Sequence, residues 1–305
     1  MKPAMKQPAA ENIRQSFFQT FQKRPTLPLI LGHRGVPEEY QENTMAGFKR
    51  AVELGIDGVE LDVFLTKDNK LVVFHDLETE RLTGVAGRIT EMTWPEIQQL
   101  TIKPMINVGD KTIDYGRAEK IELLENVLEE VRGKLLVNIE IKAYGLDFGQ
   151  RHTGTAVANL IRRMGLESNV FVTSFNFWPL IWLERAHPGI ESGFTYAPTI
   201  VNNGALQWLM ESSLVGKLAG STLTNMSLNL FDNDTVEKVH NRGLAVGAWT
   251  VFSQDSKWLG EAISPAQELN YIHSLTARGI DYFITDDPVR LQRVLNPQSA
   301  TVSVK

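Results

Sequence analysis

The chain of 305 residues contains no cysteine, which excludes disulfides, thiolate nucleophiles and zinc sites built on cysteine. It also lacks any run approaching the roughly 20 apolar residues that a bilayer-spanning helix needs. The first 23 residues carry no apolar segment of the kind found in secretion signals. We therefore expect a cytoplasmic protein without disulfides and without stable membrane insertion.

An excess of positive charge is absent as well. Lysine and arginine total 31 against 36 aspartate and glutamate residues, so the net charge is −5, and no basic run is present. Binding to a nucleic-acid backbone requires clustered cations, so no nucleic-acid partner is expected. The sequence lacks a P-loop, a GxGxxG loop and a GxSxG elbow, which removes the usual support for kinases, dinucleotide enzymes and α/β-hydrolases. It does not indicate an oligomeric state.

Short apolar runs alternate along the chain with amphipathic segments of helical spacing. The predicted strands are Leu29–Leu31, Gly58–Leu65, Leu71–Phe74, Leu135–Ile141, Val170–Phe175, Ser192–Tyr196, Leu223–Leu230, Leu244–Val251 and Tyr282–Thr285. The predicted helices are Thr44–Leu54, Ile121–Val131, Thr155–Met164, Phe177–Ala186, Gly204–Leu218, Asp234–Arg242, Pro265–Arg278 and Pro288–Leu295. We expect Asn43 to cap the first helix and Asp232 or Asn233 to cap the helix that begins at Asp234.

This alternation gives eight strand–helix units when Leu71–Phe74 is treated as a hairpin partner of the second strand. Eight such units predict an α/β fold, a (β/α)₈ TIM barrel, with a small inserted subdomain of about residues 77–118 in the loop after the second strand. The lead would cover residues 1–28, the barrel 29–296 and a tail 297–305. An open α/β sheet in two domains is the alternative.

Carboxylates lie inside apolar strands at the expected carboxyl-terminal rim of this barrel. Glu60 and Asp62 are two residues apart and share a face, and Glu140 and Lys142 repeat the pattern. Buried carboxylates are costly unless they are paired or bind a cation. An all-carboxylate set favours Mg²⁺, Mn²⁺ or Ca²⁺ over zinc. The alternative is a structural ion-pair cluster in which Lys142 and Arg34 neutralise the carboxylates.

Two histidines, His33 and His75, each close a hydrophobic run. An imidazole exchanges protons near neutral pH, so the two could act as base and acid, although each could also be an ordinary hydrogen-bonded histidine of the rim. Asp76 could orient His75 or cap the loop. We expect the other histidines to be solvated. They are His152, His187, His240 and His273.

Arg34, beside Gly35, indicates an anion site, because a guanidinium grips phosphate oxygens through two parallel donors. Lys142 would add a point charge to the same phosphate, and Arg34 could instead be a plain salt-bridge partner. Trp249 could line the apolar side of the pocket or belong to the core. Taken together, these residues predict metal-assisted attack on a phosphate ester.

The ordered motifs resemble those of the glycerophosphodiester phosphodiesterase family over roughly residues 29–296. The motifs are His33-Arg34-Gly35, Glu42-Asn43-Thr44, Gly58-Val59-Glu60-Leu61-Asp62-Val63, Thr66-Lys67-Asp68, Val73-Phe74-His75-Asp76, Arg81-Leu82-Thr83-Gly84, Met92-Thr93-Trp94, Glu140-Ile141-Lys142, Trp249-Thr250-Val251 and Ile284-Thr285-Asp286-Asp287-Pro288.

The resemblance implies a barrel that hydrolyses a small-molecule glycerophosphodiester to glycerol 3-phosphate and an alcohol. It implies one divalent cation on Glu60, Asp62 and Glu140, with Mg²⁺ or Ca²⁺ expected first and Mn²⁺ as the alternative. It also implies a His33/His75 acid–base pair and phosphate contacts from Arg34 and Lys142. In such enzymes a neighbouring hydroxyl of the substrate is a proposed nucleophile, which gives a cyclic phosphate before water enters.

The sequence departs from the family pattern at two places. Gln41 stands where the family usually has proline, and the segment Phe252–Ser264, with Trp258, is longer than the usual connection. Two other functions stay open. The same machinery could act on lysophospholipids as a lysophospholipase D, with apolar contacts from the Trp258 segment or from Phe17, Phe18 and Phe21. A non-catalytic barrel could also bind phosphorylated small molecules.

Overall fold

The structure is a computed structural model that describes residues 28–143, 151–197, 220–255 and 264–296. Twelve strands are described, and they are β1 Leu29–His33, β2 Gly58–Leu65, β3 Leu71–Val73, β4 Met105–Val108, β5 Lys111–Asp114, β6 Glu122–Leu123, β7 Leu136–Ile141, β8 Val170–Ser174, β9 Ser192–Tyr196, β10 Leu223–Ser227, β11 Ala245–Val251 and β12 Tyr282–Thr285. The described α-helices are α1 Met45–Leu54, α2 Glu80–Thr83, α3 Trp94–Ile97, α4 Leu124–Val131, α5 Arg151–Met164, α6 Phe177–Ala186, α7 Thr235–His240, α8 Pro265–Ala277 and α9 Pro288–Leu295.

Eight parallel strands form a closed barrel. The order runs β1, β2, β7, β8, β9, β10, β11, β12, and β12 pairs back onto β1. Helices lie between most of the strands, so the predicted TIM barrel is confirmed. The alternative of an open sheet in two domains is wrong, because β1 is hydrogen-bonded on both sides.

Alternate residues of most barrel strands serve two cores. Leu29, Leu31 and Tyr282 belong to a small cluster inside the barrel, whereas Ile30 packs in the larger cluster shared with the helices. This alternation follows from the pleat of a strand, which points successive side chains to opposite faces. Gly247 leaves room for the Tyr282 ring, since a Cβ there would lie 2.1 Å from it.

The inserted segment follows the β2–β3 hairpin and contains α2, α3 and the antiparallel pair β4–β5. Its apolar side chains form a separate cluster that includes Leu82, Ile97 and Ile106 and also takes in Phe64 from β2. The insertion therefore packs on the outside of the hairpin and shares its core.

Several element boundaries differ from the prediction. The strand predicted over Leu223–Leu230 ends at Ser227, where a 3₁₀ helix begins at Leu228. Helix α5 begins at Arg151, four residues before the predicted start. Helix α7 is shorter than the predicted Asp234–Arg242, and Asp232 accepts from the Asp234 amide in the turn before it instead of acting as its cap residue.

Other sequence predictions fall on residues that the structure does not describe. They are the helix Gly204–Leu218, the side chains Phe17, Phe18 and Phe21, and Trp258 with most of its segment. Among the helices of the described ranges, none combines the length and the apolar composition that crossing a membrane requires.

Candidate active site

Strand register brings the predicted site residues to one rim of the barrel. His33 at the end of β1 pairs with Glu60 of β2, and Asp62 of β2 pairs with Glu140 of β7. Because parallel neighbours keep their side chains on the same face at paired positions, these four groups converge. Lys142 follows the end of β7 directly and joins them.

Glu60, Asp62 and Glu140 form a buried carboxylate cluster whose ligand oxygens all lie within 4.8 Å of one another. Burial, together with the charges of Asp62 and Glu140, raises the pKa of Glu60 well above its ordinary value. Burial would also raise the pKa of Asp62, but the Lys142 ammonium, His75 and the Arg34 guanidinium outweigh it and hold the pKa of Asp62 low. The cluster therefore contains more negative charge than its surroundings easily accommodate.

Lys142 and Arg34 also make the ion pairs that a structural ion-pair cluster, the alternative to a metal site, would contain. Lys142 Nζ lies 2.9 Å from Asp62 Oδ1 and 2.5 Å from Glu140 Oε1, and Arg34 Nε lies 3.3 Å from Asp62 Oδ2. Among the described residues these pairs leave negative charge uncompensated, because six carboxylates around the site face three permanent cations. The carboxylates are Glu42, Glu60, Asp62, Asp76, Glu140 and Asp286, and the cations are Arg34, Arg81 and Lys142. An all-oxygen donor set with surplus negative charge fits a divalent metal ion.

His33 is held at the rim by the last strand of the barrel. Its Nδ1 lies 2.6 Å from Asp286 Oδ1, and its Nε2 lies 3.9 Å from Glu60 Oε2. Asp286 follows β12 and is fixed in turn, because its Oδ2 accepts a 2.6 Å hydrogen bond from the Gln254 amide. The carboxylate therefore sets the ring orientation and leaves Nε2 on the side of the carboxylate cluster.

His75, which follows β3, is bound to a carboxylate in the same way as His33. Its Nδ1 lies 2.6 Å from Asp76 Oδ1. Burial, followed by the positive charges of Arg34 and Lys142, lowers the pKa of His75 to about 4. The ring is therefore neutral near pH 7, and its Nε2 can accept a proton when Nδ1 donates to Asp76.

Arg34 adopts a positive φ of 54°, which turns its amide toward the carboxylate cluster. Its main-chain N–H donates to Glu60 Oε2 at 3.0 Å, and its Nη1 donates to Glu42 Oε1 at 2.9 Å. Burial would lower the pKa of the Arg34 guanidinium, but Glu42, Asp62 and Glu60 raise it further, so the group stays charged.

Asn43 is a site residue that sequence reasoning placed in the wrong role. Thr44, not Asn43, caps α1, because the Thr44 side chain accepts from the Gly47 amide. Asn43 has a φ of 58°, a conformation that asparagine tolerates better than most residues. Its Nδ2 donates to Asp62 Oδ2 at 2.7 Å, and its Oδ1 accepts from the Asp62 amide at 3.2 Å.

Glu42, Arg81 and Asp286 also contact predicted site residues, and sequence reasoning gave them no role. Each lies in a motif that carried the family resemblance, which was the available signal. Glu42, His75 and Asp76 place ligand atoms within 4.8 Å of one another, but the Arg81 guanidinium lies among them and hydrogen-bonds to both carboxylates. This second group is therefore an ion-pair network.

Aromatic side chains border the site beside Lys142. The rings of Phe175 and Trp249 meet edge to face with centroids 5.5 Å apart, and Lys142 Nζ lies 5.8 Å from the Phe175 centroid. Trp249 also packs on the cluster inside the barrel, so it contacts the core as well as the aromatic border of the site.

The departures from the family pattern and the other histidines can now be located. Gln41 is buried, and its Nε2 donates to the carbonyls of Lys103 (3.3 Å) and Arg117 (2.5 Å), which ties the first loop to the insertion in a way that proline could not. The expectation that the remaining histidines are solvated is wrong for two of them, because they pair with carboxylates in partly buried positions. His187 contacts Glu167 at 3.1 Å and His240 contacts buried Asp281 at 2.8 Å, whereas His152 and His273 are exposed.

Comparison with known proteins identifies the family of this chain. The model of the glycerophosphoryl diester phosphodiesterase family matches residues 33–290. A glycerophosphodiester phosphodiesterase from Caldanaerobacter subterraneus subsp. tengcongensis is 31% identical over 264 residues, which cover 86% of this chain and 96% of that protein. The human lysophospholipase D GDPD1 is 36% identical over 120 residues, which cover 39% of this chain and 38% of that protein.

A solved structure shares the fold. It is an Oleispira antarctica phosphodiesterase in complex with the product sn-glycerol-3-phosphate, with 22% identity, a TM-score of 0.66, and coverage of 88% of this chain and 97% of that one. On the strength of the family match and of the relative from Caldanaerobacter, this chain belongs to the glycerophosphoryl diester phosphodiesterase family.

Proposed function

We propose that this chain hydrolyses glycerophosphodiesters to glycerol 3-phosphate and an alcohol, with His33 and His75 as the acid–base pair. The observation that carries the proposal is that two carboxylate-bound imidazoles lie beside one buried carboxylate cluster in a member of this family. His33 Nε2 lies 3.9 Å from Glu60 Oε2, and His75 lies near enough to Asp62 for their charges to interact. The product held by the Oleispira relative, sn-glycerol-3-phosphate, supports the same substrate class.

Glu60, Asp62 and Glu140 would hold one divalent cation, and their carboxylate oxygens suit Mg²⁺, Ca²⁺ or Mn²⁺. When bound, such an ion polarises phosphoryl oxygens and offsets the negative charge that develops on them. Arg34 and Lys142 contact the same carboxylates and would bind the remaining phosphate oxygens. The edge-to-face pair of Phe175 and Trp249 would cover the apolar side of the substrate.

The two histidines divide the proton transfers. The attacking group is the substrate's own hydroxyl on the carbon next to the one that carries the phosphodiester. One Nε2 removes the proton from this hydroxyl as its oxygen bonds to phosphorus. The other imidazole gives a proton to the leaving alcohol oxygen as its bond to phosphorus breaks, and water then opens the cyclic phosphate. Asp286 and Asp76 hold the two rings through Nδ1, which keeps Nε2 as the reacting nitrogen.

We also propose limits for the barrel and its inserted segment. We place the barrel at residues 29–296, with the lead 1–28 before it and the tail 297–305 after it, and the insertion at about residues 77–118. The start of β1 at Leu29 and the end of α9 at Leu295 support the outer limits. The separate apolar cluster around Leu82, Ile97 and Ile106 supports the insertion. A cytoplasmic location stays a prediction from composition.

The test is turnover of glycerophosphocholine and of a lysophosphatidylcholine by the purified chain with Mg²⁺, Mn²⁺ or Ca²⁺. We expect glycerol 3-phosphate from the diester, and a kcat lowered by about 10²-fold or more in His33→Ala and in His75→Ala. His152→Ala and His273→Ala replace exposed histidines and serve as matched controls with unchanged turnover.

Three outcomes would contradict the proposal in different ways. Strong preference for the lysophospholipid would make the chain a lysophospholipase D, in line with its partial similarity to the human enzyme. Binding of glycerol 3-phosphate without turnover under any cation would indicate a non-catalytic phosphate-binding barrel. Near-normal kcat in either active-site histidine variant would remove that residue from the mechanism.

A further inference from the structure

We propose that Arg81 is a positioning residue that fixes the orientation of His75 through Asp76 and the orientation of Arg34 through Glu42. This inference rests on the proposed function, because it assigns Arg81 to the acid–base and phosphate-binding groups of that reaction. Arg81 comes from the inserted subdomain, so the inference also gives the insertion a part in assembling the active site.

A single guanidinium hydrogen-bonds to two carboxylates. On one side, Arg81 Nε donates to Asp76 Oδ2 and Nη2 donates to Asp76 Oδ1 at 3.1 Å. On the other side, Nη1 donates to Glu42 Oε2 at 2.9 Å and Nη2 donates to Glu42 Oε1 at 2.7 Å. All four carboxylate oxygens are therefore engaged by the same planar group.

Each of these carboxylates contacts a different functional side chain. Asp76 Oδ1 lies 2.6 Å from His75 Nδ1, and Glu42 Oε1 accepts from Arg34 Nη1 at 2.9 Å. The orientation of the His75 ring is thus fixed by a carboxylate whose own rotation Arg81 prevents. The same holds for the Arg34 guanidinium, because Glu42 is held on both of its oxygens.

The insertion supplies a rigid base for this contact. Leu82, the next residue of α2, is fully buried in the apolar cluster of the insertion, and its carbonyl accepts from the Lys103 amide at 2.8 Å. The Arg81 side chain itself keeps 31% exposure, so it lies between the insertion core and the pocket. Lysine cannot replace it, because an ammonium lacks the fork geometry that engages two carboxylates in parallel.

The experiment compares Arg81→Lys, Asp76→Ala and the double variant in the full chain, with kcat and KM measured on glycerophosphocholine. Arg88→Lys is the matched control, because Arg88 lies in the same insertion and also joins two carboxylates, those of exposed Glu78 and Glu91.

Arg81→Lys is expected to lower kcat by about 10- to 100-fold, the size of effect seen when the outer partner of a functional group is lost. Arg88→Lys is expected to keep kcat within about twofold of wild type. Because Arg81 acts on His75 through Asp76, adding Arg81→Lys to Asp76→Ala should lower kcat no further. Arg81→Lys should also raise KM, because Glu42 then holds the Arg34 guanidinium less firmly, and this increase should persist in the double variant.

Unchanged kcat in Arg81→Lys, or full multiplication of the two losses in the double variant, would overturn the inference. A second measurement covers the case in which the lysine variant folds poorly. Arg81→Ala should regain kcat on addition of ethylguanidinium but not of ethylammonium, and a folding defect that neither compound relieves would show a structural role and overturn the inference. A wild-type chain that turns over no glycerophosphodiester would overturn the proposed function itself. The two failures are distinguishable, because the results with the variants are read only against an active wild type.

Discussion

Replacing Glu60 by glutamine is expected to stabilise the chelated protein while weakening its response to a divalent cation. The three cluster carboxylates place their ligand oxygens within 4.8 Å of one another. Two unit charges at about that separation repel by about 3.5 kcal/mol at an effective dielectric constant of about 20. Arg34 and Lys142 offset part of this repulsion, so we expect the free energy of unfolding to rise by about 1–2 kcal/mol in chelator.

The stability gained on cation binding should change in the opposite direction, because it falls when Glu60 is replaced. A cation present at about 100 times its Kd adds about 2.7 kcal/mol to the stability of the wild-type chain. If losing one carboxylate weakens binding about 100-fold, the gain at the same cation concentration falls to about 0.4 kcal/mol. The variant should therefore be the more stable protein in chelator and the less stable one in saturating cation.

Urea unfolding of both proteins, with and without Mg²⁺, Mn²⁺ or Ca²⁺, measures the two effects. Glu129→Gln is the matched control, because Glu129 is exposed on α4 and pairs only with Arg132 among the described residues. A Glu60→Gln protein that is destabilised in chelator and keeps the full cation response would refute this reasoning. It would instead favour the structural ion-pair interpretation of the cluster.

Two further changes probe the groups around the cluster. Asn43→Ala removes a hydrogen bond to the Asp62 carboxylate and leaves alanine at a φ of 58°, so the free energy of unfolding should fall by about 2–4 kcal/mol. Glycine tolerates that φ, so Asn43→Gly should recover about 1 kcal/mol of this loss in urea unfolding. Equal stability of the two variants would show that the positive φ contributes nothing to the loss. Burial would raise the pKa of Glu42, but Arg34 and Arg81 lower it to about 2. The charged Glu42 carboxylate therefore stabilises the fold above its ordinary pKa, and this stabilisation is lost as the pH falls from about 4.5 to about 2. Over that range the free energy of unfolding of the wild type should fall by about 3 kcal/mol more than that of Glu42→Gln. Parallel plots of unfolding free energy against pH for the two proteins would contradict this assignment.

The barrel could be predicted from the sequence because its signal is local and repeated. Apolar runs of three to eight residues alternate with amphipathic segments, and each unit repeats the same pattern. Boundaries were less accurate where two local signals compete. The apolar run after Leu223 continues past Ser227, so only the three-dimensional structure separates the strand from the 3₁₀ helix that follows it.

The core of the candidate site could also be anticipated, because carboxylates inside apolar strands are conspicuous. The supporting groups could not, since they depend on contacts between distant parts of the chain. Asp286 lies 253 residues from His33, and Arg81 lies 39 residues from Glu42. Asn43 was assigned to a helix cap because its position before Thr44 fits that role equally well, and only strand β2 shows that its side chain binds Asp62.

The central claim is that one divalent cation held by Glu60, Asp62 and Glu140 supports phosphodiester hydrolysis at this rim. The most direct measurement titrates the chelated chain with Mg²⁺, Mn²⁺ or Ca²⁺ while following both bound metal and release of glycerol 3-phosphate. We predict that activity rises from near zero and saturates together with binding of one ion per chain. Full turnover in excess chelator, or metal binding that leaves turnover unchanged, would contradict the claim.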